Sequence, residues 1–251
     1  MTLKLENGDC LELMKNLPDK SIDLFICDLP FGEININWDS LIDLNEFWKQ
    51  FKRLRKSKKV ACIHFCSTKF GYSLIKSNEK MFKMDLCIVK GNKTGGLQSK
   101  YRPMRNHDMV YFFYEQAPKY LRDKYHKRIV PLQKSKEEIE SSQENFGWSQ
   151  NLEQNKKSDG KQRFTPPNPV SVLYAEKTFI RKRHHQTEKP LNIIEFFLNY
   201  WSDEGDTILD PTMGGGSVGV ACRKLKRNFI GFELDEKIFK VAEERITSFT
   251  I

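Results

Sequence analysis

Residues 22–32 read IDLFICDLPFG, and this run decides the architecture of the chain. Its first part, Ile22 to Cys27, is β-branched and aromatic and is cut off by Pro30 and Gly32, the pattern of a buried strand. An acid where a buried strand ends stands at the carboxyl edge of a sheet, and open α/β sheets bind ligands in the crevice outside that edge. Asp28, Leu29, Pro30 and Phe31 are therefore candidate site residues. Taken alone they serve equally well as a strand-to-loop turn, with Asp28 capping and Pro30 and Gly32 making the bend.

Upstream, Leu3 to Leu5 is a short strand that Asn7-Gly8-Asp9 turns into a helix reaching Asn16, where Pro18 stops it. Downstream, a loop to Ser40 leads to an amphipathic helix with Leu41, Leu44, Phe47, Trp48, Phe51 and Leu54 at helical spacing. The cations at its far end, Lys52 to Lys59, suit the helix dipole better than they argue for a nucleic-acid contact. Val60 to Cys66 is a second buried strand, Phe70 to Asn78 a helix and Met84 to Val89 a third strand. This alternation predicts an α/β fold, a parallel sheet with helices on both faces. Met109 to Tyr114 is a further strand with no room for a crossover helix before it, so it pairs antiparallel and closes a reversed hairpin.

From Glu115 to Arg183 the periodicity fails. The segment is polar and Pro-containing, and its 15 basic and 9 acidic residues carry about two thirds of the net charge of +9. That excess favours a polyanionic partner. Order returns with a helix from Leu191 to Trp201, a strand Thr207 to Leu209, a helix Ser217 to Leu225, a strand Asn228 to Phe232 and a last helix Glu236 to Ser248. Within that part, Asp206 to Ser217 reads strand, acid, glycine turn, helix. Glycines there let backbone approach a ligand, and a helix start offers free amides. Glu233 ends the next strand at the spacing that holds a ribose hydroxyl pair in nucleotide-binding α/β units. A nucleoside-bearing cofactor and a purely structural turn both fit; the absence of Lys-Ser or Lys-Thr after the glycines disfavours a nucleotide-hydrolysing phosphate loop.

The chain has 251 residues, 39% of them hydrophobic, which suits one α/β domain with an insertion. No apolar run approaches the roughly 20 residues of a membrane span. The opening MTLKLENGDC lacks the basic head and apolar stretch of a signal peptide, so a cytoplasmic location is expected; the prokaryotic or viral setting expected for it rests on the family resemblance given below. Six single cysteines read as reduced core thiols. Cys62, His64 and Cys66 alternate on one strand but lack a second ligand pair, so no metal is expected.

The glycine turn Asp210 to Ser217, the acid Glu233 and the DLPFG stretch resemble the cofactor and catalytic motifs of S-adenosylmethionine-dependent DNA amino-methyltransferases. The usual forms are an Asp-Pro-Phe-x-Gly-Ser-Gly turn and Asp-Pro-Pro-Tyr. The catalytic motif comes first here, an order similar to the circularly permuted β group of that family. Gly8-Asp9-Cys10, Arg105-Asn106-His107-Asp108 and His185-Gln186-Thr187-Glu188-Lys189-Pro190 agree with it; the last is similar to the group's His-Pro-Thr-Gln-Lys-Pro.

The resemblance implies a Rossmann-like class I methyltransferase sheet. Residues 1–114 would form the catalytic half, 115–183 a basic target-recognition insert and 184–251 the cofactor-binding half. It implies S-adenosyl-L-methionine as cofactor, double-stranded DNA as partner and, from the habit of the group, a homodimer. Asp28 and the Leu29 carbonyl would take the two hydrogens of an exocyclic amino group while Phe31 stacks on a base turned out of the duplex. Glu233 would hold the ribose, and Asp9 with the Cys10 backbone the adenine. Asp210, Pro211, Thr212, Gly214, Gly216 and Ser217 would pack against the methionine part, Thr187 and Lys189 would meet its carboxylate, and Asp28 would touch the cofactor as well as the target. A bare basic loop before a helix is the alternative for His185 and Lys189, and His107 is assigned to ordering the hairpin. Leu29 in place of Pro loosens the turn, Phe31 in place of Tyr loses a hydroxyl, and Met213 to Gly216 is looser than the family turn; none removes a required group. Asp at position 28 favours adenine-N6 over cytosine 4-amino methylation by family pattern, and an inactive DNA-binding subunit remains a further alternative. Asn145, Trp148, Gln150 and Asn151 in the insert are candidates for reading base edges, with the basic hairpin Lys90 to Arg105 a second DNA surface.

Overall fold

The runs that are apolar on both faces become the centre of one sheet. Leu24–Cys27 forms β2 and Cys62–Cys66 forms β3, with every residue of both buried. The computed structural model describes residues 1–32, 41–125, 169–176 and 189–249. In chain order the remaining elements are β1 (Leu3–Asn7), α1 (Cys10–Lys15), α2 (Leu44–Leu54), α3 (Thr68–Ser77), β4 (Phe82–Thr94), β5 (Arg105–Phe113), α4 (Arg122–Tyr125), β6 (Val172–Tyr174), α5 (Leu191–Trp201), β7 (Thr207–Asp210), α6 (Ser217–Lys224), β8 (Asn228–Glu233) and α7 (Glu236–Ser248). The chain divides into two units. Met1–Leu121 with Val170–Ile251 forms the first, and Arg122–Pro169 the second, of which the single turn α4 is described.

The sheet of the first unit runs β1-β8-β7-β2-β3-β5-β4-β6. Only β5 is reversed, pairing antiparallel with β3 and β4. The other neighbours are parallel. This is the mostly parallel α/β sheet with a reversed hairpin strand that the sequence predicts. Chain order turns away in opposite directions from β7 and β2, so the pair forms a topological switch point, where such sheets open a crevice at their carboxyl edge.

Helices cover both faces. On one, α1, α2 and α3 pack over Phe25, Cys27 and Leu29 in a cluster with Met14, Phe47, Trp48 and Phe51. Phe25 and Phe51 meet edge to face with ring centroids 4.8 Å apart. On the other, α5 lays Phe197 and Trp201 against Phe112 at 5.8 Å and 4.9 Å. Each such side chain contributes about 1.5–3 kcal/mol on burial. Arg227, 1% exposed, ties the end of α5 to the turn before β8. Its guanidinium donates to the carbonyls of Leu198, Ser202 and Leu225 and to Ser202 Oγ, answering carbonyls that a buried helix end would otherwise leave orphaned.

Several boundaries differ from the sequence pattern for identifiable reasons. Helix α2 begins at Leu44 because the Asp43 side chain accepts from the amides of Asn45 and Glu46. Leu41, placed on its apolar face by periodicity, is instead 68% exposed. The strand expected at Met84 to Val89 runs from Phe82 to Thr94, since ladder pairing with β5 carries it through the glycine-containing stretch. Val172–Tyr174, inside the stretch expected to be irregular, is a parallel edge strand held by Cys87–Val89. Residues 115–121 and 170–176, assigned to the insert by composition, lie in the first unit.

Candidate active site at the switch point between β7 and β2

Asp28 is the first residue beyond β2 and Asp210 the last of β7, and these strands lie side by side. Leu29 is 1% exposed and belongs to the core cluster. A leucine in place of the family's proline thus anchors the loop by burial instead of by ring stiffness. Gly32 has φ +64, and a Cβ there would lie 2.7 Å from Leu41 Cγ, so the bend requires glycine. Phe31 stacks on Phe70 of α3, centroids 5.2 Å apart and planes at 26°.

The Asp28 carboxylate is held asymmetrically. Oδ2 accepts from Lys189 Nζ at 2.5 Å. Oδ1 is buried and, among the described residues, has no hydrogen-bond partner. Burial pushes the Asp28 pKa up, and the charge and hydrogen bond of Lys189 oppose that push. Burial likewise depresses Lys189, but attraction to Asp28 more than reverses it, with Asp108 and Asp210 assisting, so the ammonium is raised above its ordinary value. The Lys189 ammonium also lies 5.3 Å from the centre of the Phe65 ring.

The glycine turn is secured mostly through backbone groups. Asp210, 3% exposed, accepts from the Thr212 amide at 3.1 Å; burial drives its pKa well above the usual carboxylate range. Glu233, at the end of β8, accepts from the Gly214 amide at 3.0 Å and from the Asp235 amide at 2.9 Å. Burial raises Glu233 too, against these amides. Gly216 has φ +75, and a Cβ there would meet Ile246 Cδ1 at 2.8 Å. Pro211 and Ser217 are buried beside it, and Arg245 of α7 donates to the Gly215 carbonyl at 2.7 Å. Met213 fills the space above Gly231, whose Cβ would lie 2.5 Å from its sulfur.

Parallel pairing of β1 with β8 puts Asn7 opposite Glu233, and the Gly8 amide donates to the Glu233 carbonyl at 3.0 Å. Asp9 and Cys10 follow directly. Asp9 caps α1 by accepting from the Glu12 amide at 3.0 Å. The Cys10 thiol is pushed up to about 12, first by burial.

One pocket unites much of this. Asp28, Lys189, Asp210, Thr212, Gly214 and Ser217 line it together with Ile26, Cys27, Phe65, Met213, Gly215 and Val218. Asp9, Cys10, Pro30, Phe31, Pro211, Gly216 and Glu233 are outside that lining. Thr187, His185 and the proposed base readers Asn145, Trp148, Gln150 and Asn151 lie outside the described residues. Sequence patterns missed Phe65 and Arg245, and read Met213 only as part of the turn. Phe65 was legible as an inward position of a buried strand but nothing in its surroundings marked a pocket. Lys189 was expected at the cofactor carboxylate; here its ammonium is engaged by Asp28.

The residues fit S-adenosylmethionine on their own chemistry. Among the described residues three acids, Asp28, Asp210 and Glu233, gather about one ammonium, that of Lys189, which suits a ligand carrying sulfonium and ammonium charges. Thr212 Oγ1 is buried without a partner among the described residues. A Cβ on Gly214, which has φ +48, would project into open space, leaving room beside the turn.

Comparison with known proteins agrees. Residues 22–244 match the family model described as DNA methylase, of N6/N4 type. The chain is 26% identical over 265 residues to the type II methyltransferase M.HinfI of Haemophilus influenzae, covering 95% of this chain and 67% of that protein. It is 26% identical over 255 residues to M1.MboII of Moraxella bovis, covering 92% of each. Its fold is similar to the M1.HpyAVI–SAM complex, with a TM-score of 0.62 at 20% identity, covering 97% of this chain and 100% of that one. It is similar also to PvuII DNA methyltransferase, described as cytosine-N4-specific, with a TM-score of 0.66 at 15% identity over 99% and 91% of the two chains. With an acid-bearing strand end and a glycine turn meeting at one switch point, and a family match across most of its length, this chain belongs to the N6/N4 DNA methylase family.

Proposed function

We propose that this protein transfers the methyl group of S-adenosylmethionine to the 6-amino group of adenine in double-stranded DNA. The carrying observation is the Asp28 carboxylate, which lines the same pocket as the glycine turn and whose buried Oδ1 has no hydrogen-bond partner among the described residues.

An exocyclic amino group is a weak nucleophile because its lone pair is conjugated with the ring. Asp28 Oδ1 accepts one amino hydrogen and the Leu29 carbonyl the other, which draws the nitrogen out of conjugation and fixes its direction. Phe31, backed by Phe70, stacks on the extruded base. When bound, S-adenosylmethionine supplies an electrophilic methyl. Asp28 Oδ1 and the Leu29 carbonyl would hold the two amino hydrogens while that methyl passed from the sulfonium, which would leave as a neutral thioether, and the surplus amino proton would pass by way of Asp28 to solvent. On the cofactor side Glu233, Asp9 and the Cys10 backbone hold the nucleoside, and the turn from Asp210 to Ser217, with Pro211, Thr212, Gly214 and Gly216, holds the amino-acid part.

The described DNA-facing candidate is the β4–β5 hairpin. It rises from the end of β4 and the start of β5, at the edge where β3 ends, and carries Lys93, Lys100 and Arg102 with fully exposed Leu97 and 89%-exposed Tyr101 at its tip. Contacts to phosphates make binding fall steeply with salt. Adenine is favoured by Asp at position 28. Cytosine is the second reading, favoured by the structural likeness to a cytosine-N4-specific enzyme. Incubation with methyl-labelled S-adenosylmethionine and mixed-sequence duplex DNA, then nucleoside analysis, tests the proposal. Label in N6-methyladenine supports it, label in N4-methylcytosine selects the second reading, and unlabelled DNA overturns both.

A further inference from the structure

We infer that Lys189 is the positioning residue of Asp28: its ammonium holds Oδ2, so that Oδ1 alone is left, fixed in direction, as the acceptor for the target amino group. This rests on the methyl-transfer function proposed above.

Lys189 stands where helix stability does not want it. It precedes Pro190, the N-cap of α5, and a cation at that end opposes the helix dipole. Its side chain is only 18% exposed, so it also forgoes most of its hydration. Two unfavourable placements are offset by one charge-assisted bond at 2.5 Å to a carboxylate that is itself only 26% exposed. The bond joins the start of α5 to the end of β2, clamping the two sequence halves at the reacting end of the pocket. A free aspartate side chain rotates and offers either oxygen to solvent or ligand; with Oδ2 tied, only the unpartnered Oδ1 remains. A partner confined to the cofactor tail would leave both Asp28 oxygens in need of donors.

The groups around Asp28 show what Lys189 opposes. Asp108 of β5 disfavours the Asp28 charge, whereas Lys90 of β4, itself 2.8 Å from Asp108, adds a weaker favourable field; Asp210 of β7 and the Cys66 thiol of β3 are in turn pushed up by the charge of Asp28. Burial works in the same direction as Asp108. Removal of Lys189 therefore moves Asp28 toward its protonated form, which donates where an acceptor is needed.

The test uses the full chain with Lys189→Met and Lys189→Arg. Carbon-13 detection of labelled aspartate carboxyls, with Asp28 assigned through Asp28→Asn, follows the Asp28 titration without cofactor or DNA. The expected midpoint rises by about one pH unit or more in Lys189→Met and stays near wild type in Lys189→Arg. Calorimetry with S-adenosylhomocysteine, which carries the same amino-acid tail, is expected to show affinity within about threefold of wild type. Methyl transfer to mixed-sequence duplex at saturating cofactor is expected to fall about a hundredfold at neutral pH in Lys189→Met, to recover as pH rises and to be largely restored by Lys189→Arg. An unmoved Asp28 titration overturns the inference. So does a loss of S-adenosylhomocysteine affinity of about tenfold or more with an unchanged saturated rate, which would assign Lys189 to the cofactor tail. A wild-type protein that transfers no methyl sinks the function and leaves the titration to judge Lys189. Should Lys189→Met not fold, Lys189→Gln gives the same readings.

Discussion

The two acids that face each other across the switch point are held in opposite ways. Asp210 and its turn are fastened by backbone amides, by Glu233 gripping Gly214 and by Arg245 gripping Gly215. Among the described residues Asp28 is fastened by one side chain brought from the far half of the sequence, and its second oxygen has no hydrogen-bond partner there. A cradle for a cofactor can be rigid because its ligand is always the same molecule. Under the proposed function, the acceptor has to keep an unsatisfied, buried oxygen in the free protein, an arrangement that costs about 1–3 kcal/mol and persists where the surroundings over-determine it.

The comparison breaks if damage to the cradle and damage to the acceptor have the same signature. Gly216→Val strikes the cradle alone: a β-branched residue at φ +75 is strained, and its Cβ drives into Ile246. S-adenosylmethionine affinity, measured by calorimetry, is expected to drop about a hundredfold with a loss of about 2–4 kcal/mol in stability. An unaltered affinity would show that the turn does not hold the ligand.

A pH series sharpens the electrostatic side. Burial raises Asp210 in the folded protein, so the protein gains stability from it below the unfolded value near pH 4 and loses that gain as pH rises through the folded value. Relative to Asp210→Asn, the unliganded wild type is expected to fall behind in thermal stability as pH climbs from about 4 toward neutrality. Saturating cofactor, by bringing positive charge, should narrow the gap. A gap that is flat with pH contradicts the placement of Asp210 in a dry, acid-rich site.

Arg245→Ala tests how far the cradle's rigidity depends on α7. Release of the Gly215 carbonyl is expected to weaken cofactor affinity by about threefold to tenfold, with maximal rate at saturation unchanged. The smallest effect is expected from Phe31→Tyr, which keeps the stack on Phe70 and restores the hydroxyl usual in the family; transfer rates should stay within about threefold of wild type. A larger loss would mean the ring edge is closely enclosed when the base is bound.

The parts of this site that could be read in advance are those written in contiguous residues. Asp28, Asp210 and Glu233 each close an apolar run, and for Asp28 and Asp210 a Pro within the next two residues marks the strand end locally. Gly214 and Gly216 announce a turn because few other residues tolerate positive φ. What escaped notice is held together across the chain. The Lys189–Asp28 pair depends on the register between α5 and β2, which no local pattern encodes. The short strand Val172–Tyr174 exists only because Cys87–Val89 offers it a ladder, and its surroundings are polar enough to hide it. Leu41 obeyed helical spacing but lay upstream of Asp43, whose side chain sets where α2 begins.

Under the proposed function Asp28 acts chiefly on the target amino group, with any contact to the cofactor secondary. Single-turnover transfer from preloaded cofactor to duplex DNA, measured for wild type and Asp28→Ala alongside cofactor affinity, tests it most directly. The account predicts a fall in the transfer rate of about a thousandfold or more with affinity within about fivefold of wild type. A variant that still transfers the methyl at a rate near wild type, or one whose defect disappears once cofactor is saturating, would contradict it.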